Sequence, residues 1–238
     1  MANDYFQFKQ FIVRQDHCAM KVCTDACVFG AYVARYIFNN GPVVGSILDI
    51  GTGTGLLALM MAQNTKGIVD AVEIDEAAFQ QAESNFDNSP WRDRLNVFNA
   101  DAFHFDRGKK YDWIISNPPF FKGDLKSANK GKNLAKHETM LTLEQLLAVI
   151  SRHLSPFGIF AVLLPPHRAP FFIEIAGEAG YFLAEQVEVR HTSGHPVFRE
   201  ILFFRSGEST AFCDELFIKD KQGNYTPQFA DLMKDYYL

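Results

Sequence analysis

Asn117, Pro118, Pro119 and Phe120 follow the apolar run YDWII and Ser116, and they form a corner whose groups could take part in a reaction. Proline fixes φ and has no backbone N–H, so two in succession stop a strand and block entry into a helix. Carbonyl oxygens are left free and the preceding amide side chain is held in place. The Asn117 side-chain oxygen and the Pro118 carbonyl can each accept one N–H from an exocyclic amine or an amide nitrogen. Such a nitrogen is a poor nucleophile while its lone pair is delocalised, and gripping both hydrogens moves it towards tetrahedral geometry. Phe120 can hold a planar substrate by stacking.

A second constellation lies upstream in LDIGTGTGLLAL, with Asp49, Gly51, Gly53 and Gly55 at a strand-to-helix turn. Glycines let the backbone turn sharply and approach a ligand, and the helix that follows offers free amides. The spacing is G-x-G-x-G rather than the G-x-G-x-x-G of dinucleotide sites. Asp49 beside that turn would repel a pyrophosphate, yet it could order the loop or attract an ammonium. Glu73, about twenty residues further on, stands where a carboxylate accepts ribose hydroxyls. Asp101 in NADAF can meet an adenine amine. Three acids without a phosphate-binding lysine suit S-adenosylmethionine, which carries a sulfonium and an ammonium but no phosphate. The chemistry as read needs neither a metal nor a covalent intermediate.

These residues need a scaffold of alternating strands and helices, and the periodicity provides one. SILDI predicts a strand over 46–50, GLLALMMAQ a helix over 55–63 and GIVDAVEI a strand over 67–74. EAAFQQAESNF predicts a helix, RLNVFNA and YDWIIS strands, TLEQLLAVISRHL a helix and GIFAVLLP a strand. A helix through FFIEIAGEAG then leads to two long strand-like runs separated by TSGHP, which suggests an antiparallel pair at the edge of a mostly parallel sheet. The first 45 residues hold CTDACVFGAYVARYIF, helical in pattern and able to cover one side of the site. The YYL terminus is expected to pack on the domain.

Composition narrows the class. With 238 residues, 47% of them hydrophobic, the chain can bury one substantial core. The N-terminus lacks the pattern of a signal peptide and no apolar run reaches membrane-spanning length, so a soluble cytoplasmic protein, a monomer, is expected. Four cysteines have no Cys-x-x-Cys spacing; a zinc site from His17, Cys23 and Cys27 is disfavoured against reduced thiols. The net charge of -5 is not that of a typical nucleic-acid binder. Beside the proline corner, however, Lys122, Lys126, Lys130, Lys132 and Lys136 face one acid, Asp124. His137, His191 and His195 are expected to be loop or RNA-contact residues.

ILDIGTGTG, AVEID, NADAF and NPPF together resemble the class I amino-directed methyltransferases. The opening FQFKQFIVRQDHCAMKVCTDACVFGAYV and the closing LFIKDKQGNYTPQFADLMKDYYL more narrowly resemble the bacterial enzymes that methylate N6 of adenosine 37 in a valine-accepting tRNA. The resemblance runs from Phe6 to Leu238. It implies an α/β, Rossmann-like sandwich with a mostly parallel seven-stranded sheet, an antiparallel C-terminal hairpin and helices on both faces. It implies one methyltransferase domain, with residues 1–45 as a lid or extension and 46–238 as the catalytic core. Asp49, Gly51, Gly53 and Gly55 would line the methionine end of S-adenosylmethionine, Glu73 would take the ribose, and Asp101 with Ala102 the adenine. Lys21, Thr24 and Asp25 would form part of the cofactor lid, Asn117 to Phe120 would hold the target adenine, and the lysine run would meet tRNA. Glutamine methylation in a protein, guanine N2 methylation of ribosomal RNA and a non-catalytic RNA-binding module are the competing possibilities.

Neutralising Lys126, Lys130 and Lys132 together is expected to weaken RNA binding and lower its log–log salt slope by roughly two to three, because each lost phosphate contact releases fewer counterions. Titrations at several salt concentrations check this, and an unchanged slope refutes it.

Overall fold

The computed structural model describes residues 4–16, 21–40, 44–119, 141–208 and 210–238. A short hairpin, β1 (Tyr5–Gln7) and β2 (Ile12–Arg14), precedes α1 (Thr24–Asn40). Alternation follows: β3 (Ser46–Ile50), α2 (Leu56–Asn64), β4 (Ile68–Glu73), α3 (Glu76–Asp87), β5 (Leu95–Asn99) and β6 (Tyr111–Ser116). Next come α4 (Leu143–His153), β7 (Leu154–Leu164), α5 (Ala169–Glu178), β8 (Tyr181–Arg190), β9 (Val197–Ser206), β10 (Phe212–Phe217) and α6 (Pro227–Met233).

Strands β3 to β10 form one sheet in the order β10-β8-β9-β7-β6-β3-β4-β5. Every neighbouring pair is parallel except those made by β9, which runs against both β7 and β8. The expected class is present with one strand more than the seven anticipated. The antiparallel pair is β8 and β9, but β10 pairs with β8 and takes the edge. β10 is mostly exposed, with Leu216 its one fully buried residue, so its sequence lacks the alternation that marks a half-buried strand.

Burial explains the local choices. SILDI is buried from Ile47 to Ile50, as befits a central parallel strand covered on both faces. All seven residues from Leu56 to Ala62 of α2 are buried, so this helix is apolar on every side. The capping box of α4, where Thr142 and Gln145 satisfy each other's backbone amides, starts that helix sharply. One apolar cluster joins α1, α2, α6 and the N-terminal hairpin to Ile47, Ile115 and Phe203 on one face of the sheet. The second joins α4 and α5 to Leu48, Ile50, Ile114 and Phe204 on the other.

The two ends of the chain meet. Lys9 N donates to Tyr236 O at 2.8 Å, and the Phe6 and Phe8 rings pack on Tyr237. Tyr236 is buried as anticipated for the terminal YYL, whereas Leu238 is exposed.

The hairpin is also fastened to the glycine turn through Asn85 of α3, which is 2% exposed. Its Oδ1 accepts Arg14 N, and its Nδ2 donates to Arg14 O and to Thr54 O, all within 2.8–2.9 Å. Asn85→Ala leaves one buried and two part-buried backbone groups without partners and is expected to cost about 2–4 kcal/mol. Denaturant unfolding measures the loss, and limited proteolysis should cut first in the hairpin.

Candidate active site

At the end of β3 the chain passes through Gly51, Gly53 and Gly55 with φ of +73°, +58° and +83°, a region closed to most side chains. The turn is folded back onto β4, since the amides of Gly51 and Thr52 both donate to Val72 O, at 2.9 and 3.1 Å. A Cβ placed on Gly51 or Gly53 would meet nothing within 4 Å, whereas one on Gly55 would lie 2.5 Å from Phe86 of α3. The three glycines therefore divide their work: the first two border open space, and the third lets α2 and α3 pack together.

Asp49 has no exposed surface. It points to the face of Ile47 and Ile115, by strand alternation and by its register against Ile115. Thr52 Oγ1 donates to its Oδ2 at 2.6 Å, and its Oδ1 is buried without a hydrogen-bond partner among the described residues. Burial pushes this carboxyl up to about 7, Glu73 pushes the same way, and the Thr52 hydroxyl opposes them. Glu73 ends β4 and accepts Gly53 N on Oε2 at 2.8 Å and Asp75 N on Oε1 at 2.9 Å. This carboxylate holds the glycine turn in place.

The β5 end is tied to the same residue, for Ala100 N and Asn99 Nδ2 both donate to Glu73 O at 3.1 Å. This sets Asp101 beside β4, with Oδ1 accepting Phe103 N at 2.9 Å and the carboxyl 41% exposed. Ala102 is buried behind it. Ile74, directly after Glu73, is 44% exposed and offers an apolar surface that periodicity alone could not single out.

Ser116 ends β6 opposite Ile50, and its Oγ donates to Ile50 O at 2.9 Å. Asn117 follows directly after the strand, one residue beyond the Ile50–Ser116 pair. It is half-buried, and its Oδ1 is the second acceptor without a partner. Among the described residues three buried side-chain polar atoms lack a partner, on Asp49, Gln63 and Asn117. Two of the three sit at adjacent strand ends, where buried groups left unpaired mark a place for a ligand. Pro118 is half-buried and Pro119 exposed. Phe120 and the lysines Lys122, Lys126, Lys130, Lys132 and Lys136, with His137, lie outside the described residues.

The anticipated lid residues stand at the start of α1. Asp25 accepts Ala26 N and pairs with Arg199 of β9, Nε to Oδ2 at 2.8 Å. Lys21 lies 4.0 Å from Asp4, and Thr24 opens the helix. Arg199 escaped the sequence analysis because an arginine in a long strand gives no signal until its partner is known. Of the cysteine cluster, Cys27 is buried, which pushes its thiol up to about 12 and keeps it protonated at neutral pH. Among the described residues there is no group of three or more potential metal ligands, and no helix is long and apolar enough to cross a membrane.

A glycine turn after the first core strand, acids at the next two strand ends and an Asn-Pro-Pro corner beside them, all on this sheet, define a class I methyltransferase. A solved structure described as a predicted O-methyltransferase from Agrobacterium tumefaciens shares the fold, with a TM-score of 0.68 at 17% identity, covering 89% of this chain and 96% of that one. Residues 33–162 match the family described as Methyltransferase small domain. The chain is 44% identical to a tRNA1(Val) (adenine(37)-N6)-methyltransferase of Dyadobacter fermentans, over 99% of this chain and 98% of that one. It is 41% identical to the protein of the same description from Cytophaga hutchinsonii, over 100% and 99%. The chain belongs to the tRNA1(Val) (adenine(37)-N6)-methyltransferase family.

Asp49 carries a pH signature. Its carboxyl ionises near 3.8 when exposed and near about 7 in the fold, so folding takes up a proton between those values. The contribution of Asp49 to stability is therefore fully present below the lower value and is lost as pH rises towards 7. Asp49→Asn removes this dependence, and the variant is expected to melt several degrees above the parent at pH 8 and close to it at pH 4. Thermal melts of the two ligand-free proteins across that range check it; parallel curves would count against the assignment.

Proposed function

We propose that the chain transfers a methyl group from S-adenosylmethionine to the exocyclic N6 of an adenosine in tRNA, position 37 of a valine-accepting tRNA. The observation that carries this is the unpartnered acceptor of Asn117 beside the unpartnered carboxyl oxygen of Asp49, at the ends of two paired strands. Family membership supports the choice of substrate.

The residues fit the cofactor. Asp49 Oδ1 is a buried, unused oxygen suited to an ammonium, and Gly51 and Gly53 leave room where a Cβ would stand. Glu73 has a free lone pair on each oxygen for a ribose hydroxyl, while Asp101, Ala102 and Ile74 border the space for an adenine. When bound, S-adenosylmethionine supplies an electrophilic methyl group and leaves as S-adenosylhomocysteine.

Asn117 Oδ1 and the Pro118 carbonyl accept the two N–H groups of the target amine and turn its lone pair away from the ring. Phe120 stacks on the adenine. These contacts strengthen as the nitrogen becomes cationic, and so favour the transition state over the ground state. The proton is lost to water once the nitrogen carries positive charge, so no strong base is needed. Thr24, Asp25 and Lys21 close the cofactor side from α1, and the lysines from Lys122 to Lys136 meet the phosphates. The protein acts as a monomer in the cytoplasm, as one domain whose first 45 residues serve as the lid.

Transfer of label from S-adenosylmethionine to unmodified tRNA, followed by nucleoside analysis, should yield N6-methyladenosine. Asn117→Ala is expected to lower kcat by about 10²- to 10³-fold with cofactor affinity unchanged in calorimetry. Loss of both together contradicts the division of roles between Asn117 and Asp49.

A further inference from the structure

The β8–β9 pair is irregular at the end nearest the site. Val189 pairs with Arg199 and Arg190 with Val197, so Phe198 is an extra residue facing no partner. A bulge of this kind re-aims side chains and is common beside active sites. Here Phe198 packs against the cluster on the face of Asp49, and Arg199 reaches Asp25 on that same face. Strict alternation would have sent one of these two neighbours to the opposite side.

Across the turn the His191 ring lies flat on Phe198, with centroids 4.1 Å apart and planes 4° from parallel. His191 is exposed. The turn that carries it is braced: Lys219 N donates to His191 O at 2.8 Å, His195 N to Thr192 O at 3.0 Å, and Arg190 Nη1 to His195 O at 3.3 Å. The nearby cations are already matched, Arg190 by Glu188 and Glu215 and Arg199 by Asp25. The corner therefore presents a mounted flat ring rather than a bare positive charge, and it suits a base better than a phosphate.

Its position fits as well. β9 lies two strands from β6, roughly 10 Å at the usual strand spacing. Because β9 runs against β7, its first residues stand at the same end of the sheet as Asn117. We propose that the His191–Phe198 pair seats the base of the nucleotide next to the one methylated. This rests on the RNA substrate proposed above. Drawing an adenosine out of its stack towards Asn117 leaves the neighbouring base without a partner, and a rigid exposed ring replaces it. Stacking of this kind tolerates any base, since each has a π-face.

The test uses two RNA stem-loops carrying the target adenosine, one intact and one abasic at each nucleotide flanking it. His191→Ala is expected to lower kcat/KM about tenfold on the intact stem-loop, equivalent to about 1.4 kcal/mol, and to leave the abasic one unchanged. His191→Phe, which keeps a ring on Phe198, should retain the parent value. Equal loss on both RNAs, or no loss on either, overturns the seat while leaving the activity in place. Failure of the parent protein to methylate any RNA overturns the proposed function and the seat with it.

Discussion

The parallel pairing of β3 with β6 is the constraint on which the site depends. It sets Ile50 beside Ser116, and the Ser116 hydroxyl bound to Ile50 O fastens the two strand ends together. From that junction the chain leaves in two directions, into the glycine turn on one side and into the Asn-Pro-Pro corner on the other. Neither piece could act alone. The glycine turn offers room and an unused carboxyl oxygen, the corner an unused amide oxygen, and the ladder between them brings both to neighbouring strand ends.

Such an arrangement is costly to the fold. A buried polar atom without a partner costs roughly 1–3 kcal/mol, and here two stand on neighbouring strands. The surrounding hydrogen bonds show how the strain is contained. Glu73 spends one lone pair of each oxygen on the amides of Gly53 and Asp75, Thr52 holds one oxygen of Asp49, and Asn85 fixes Thr54 O from behind. The two acceptors are left open while Glu73, Thr52 and Asn85 tie the groups around them, the kind of arrangement that lets a site avoid rearranging at the moment of reaction. Asn85 also joins the N-terminal hairpin to the glycine turn.

The far half of the sheet follows a different logic. β9 reverses direction, β10 covers the edge, and the bulge at Phe198 turns two successive side chains towards the site. Arg199 then links β9 to the first turn of α1 through Asp25. The helix expected to close the cofactor side is thus anchored to the strand whose Phe198 supports the exposed ring of His191.

Much of this was legible in the chain because burial imposes period. SILDI and YDWIIS are strands at the boundaries their apolar runs suggest, and the G-x-G-x-G turn and the double proline mark their ends, since few residues other than Gly and Pro adopt or enforce such backbone. Residue chemistry at those ends pointed to the cofactor and to the amine grip. What the sequence could not express were choices settled by partners distant in the chain. Gly55 is needed because Phe86 lies 2.5 Å from where its Cβ would be, and Asp25 is engaged because Arg199, 174 positions away, reaches it. β10 pairs on one side only and so carries no alternation to read. The sequence by itself determined which backbone could bend and which atoms could react; only tertiary packing decided which of those atoms stayed unpaired, because an acceptor is free or taken according to what the fold brings within reach.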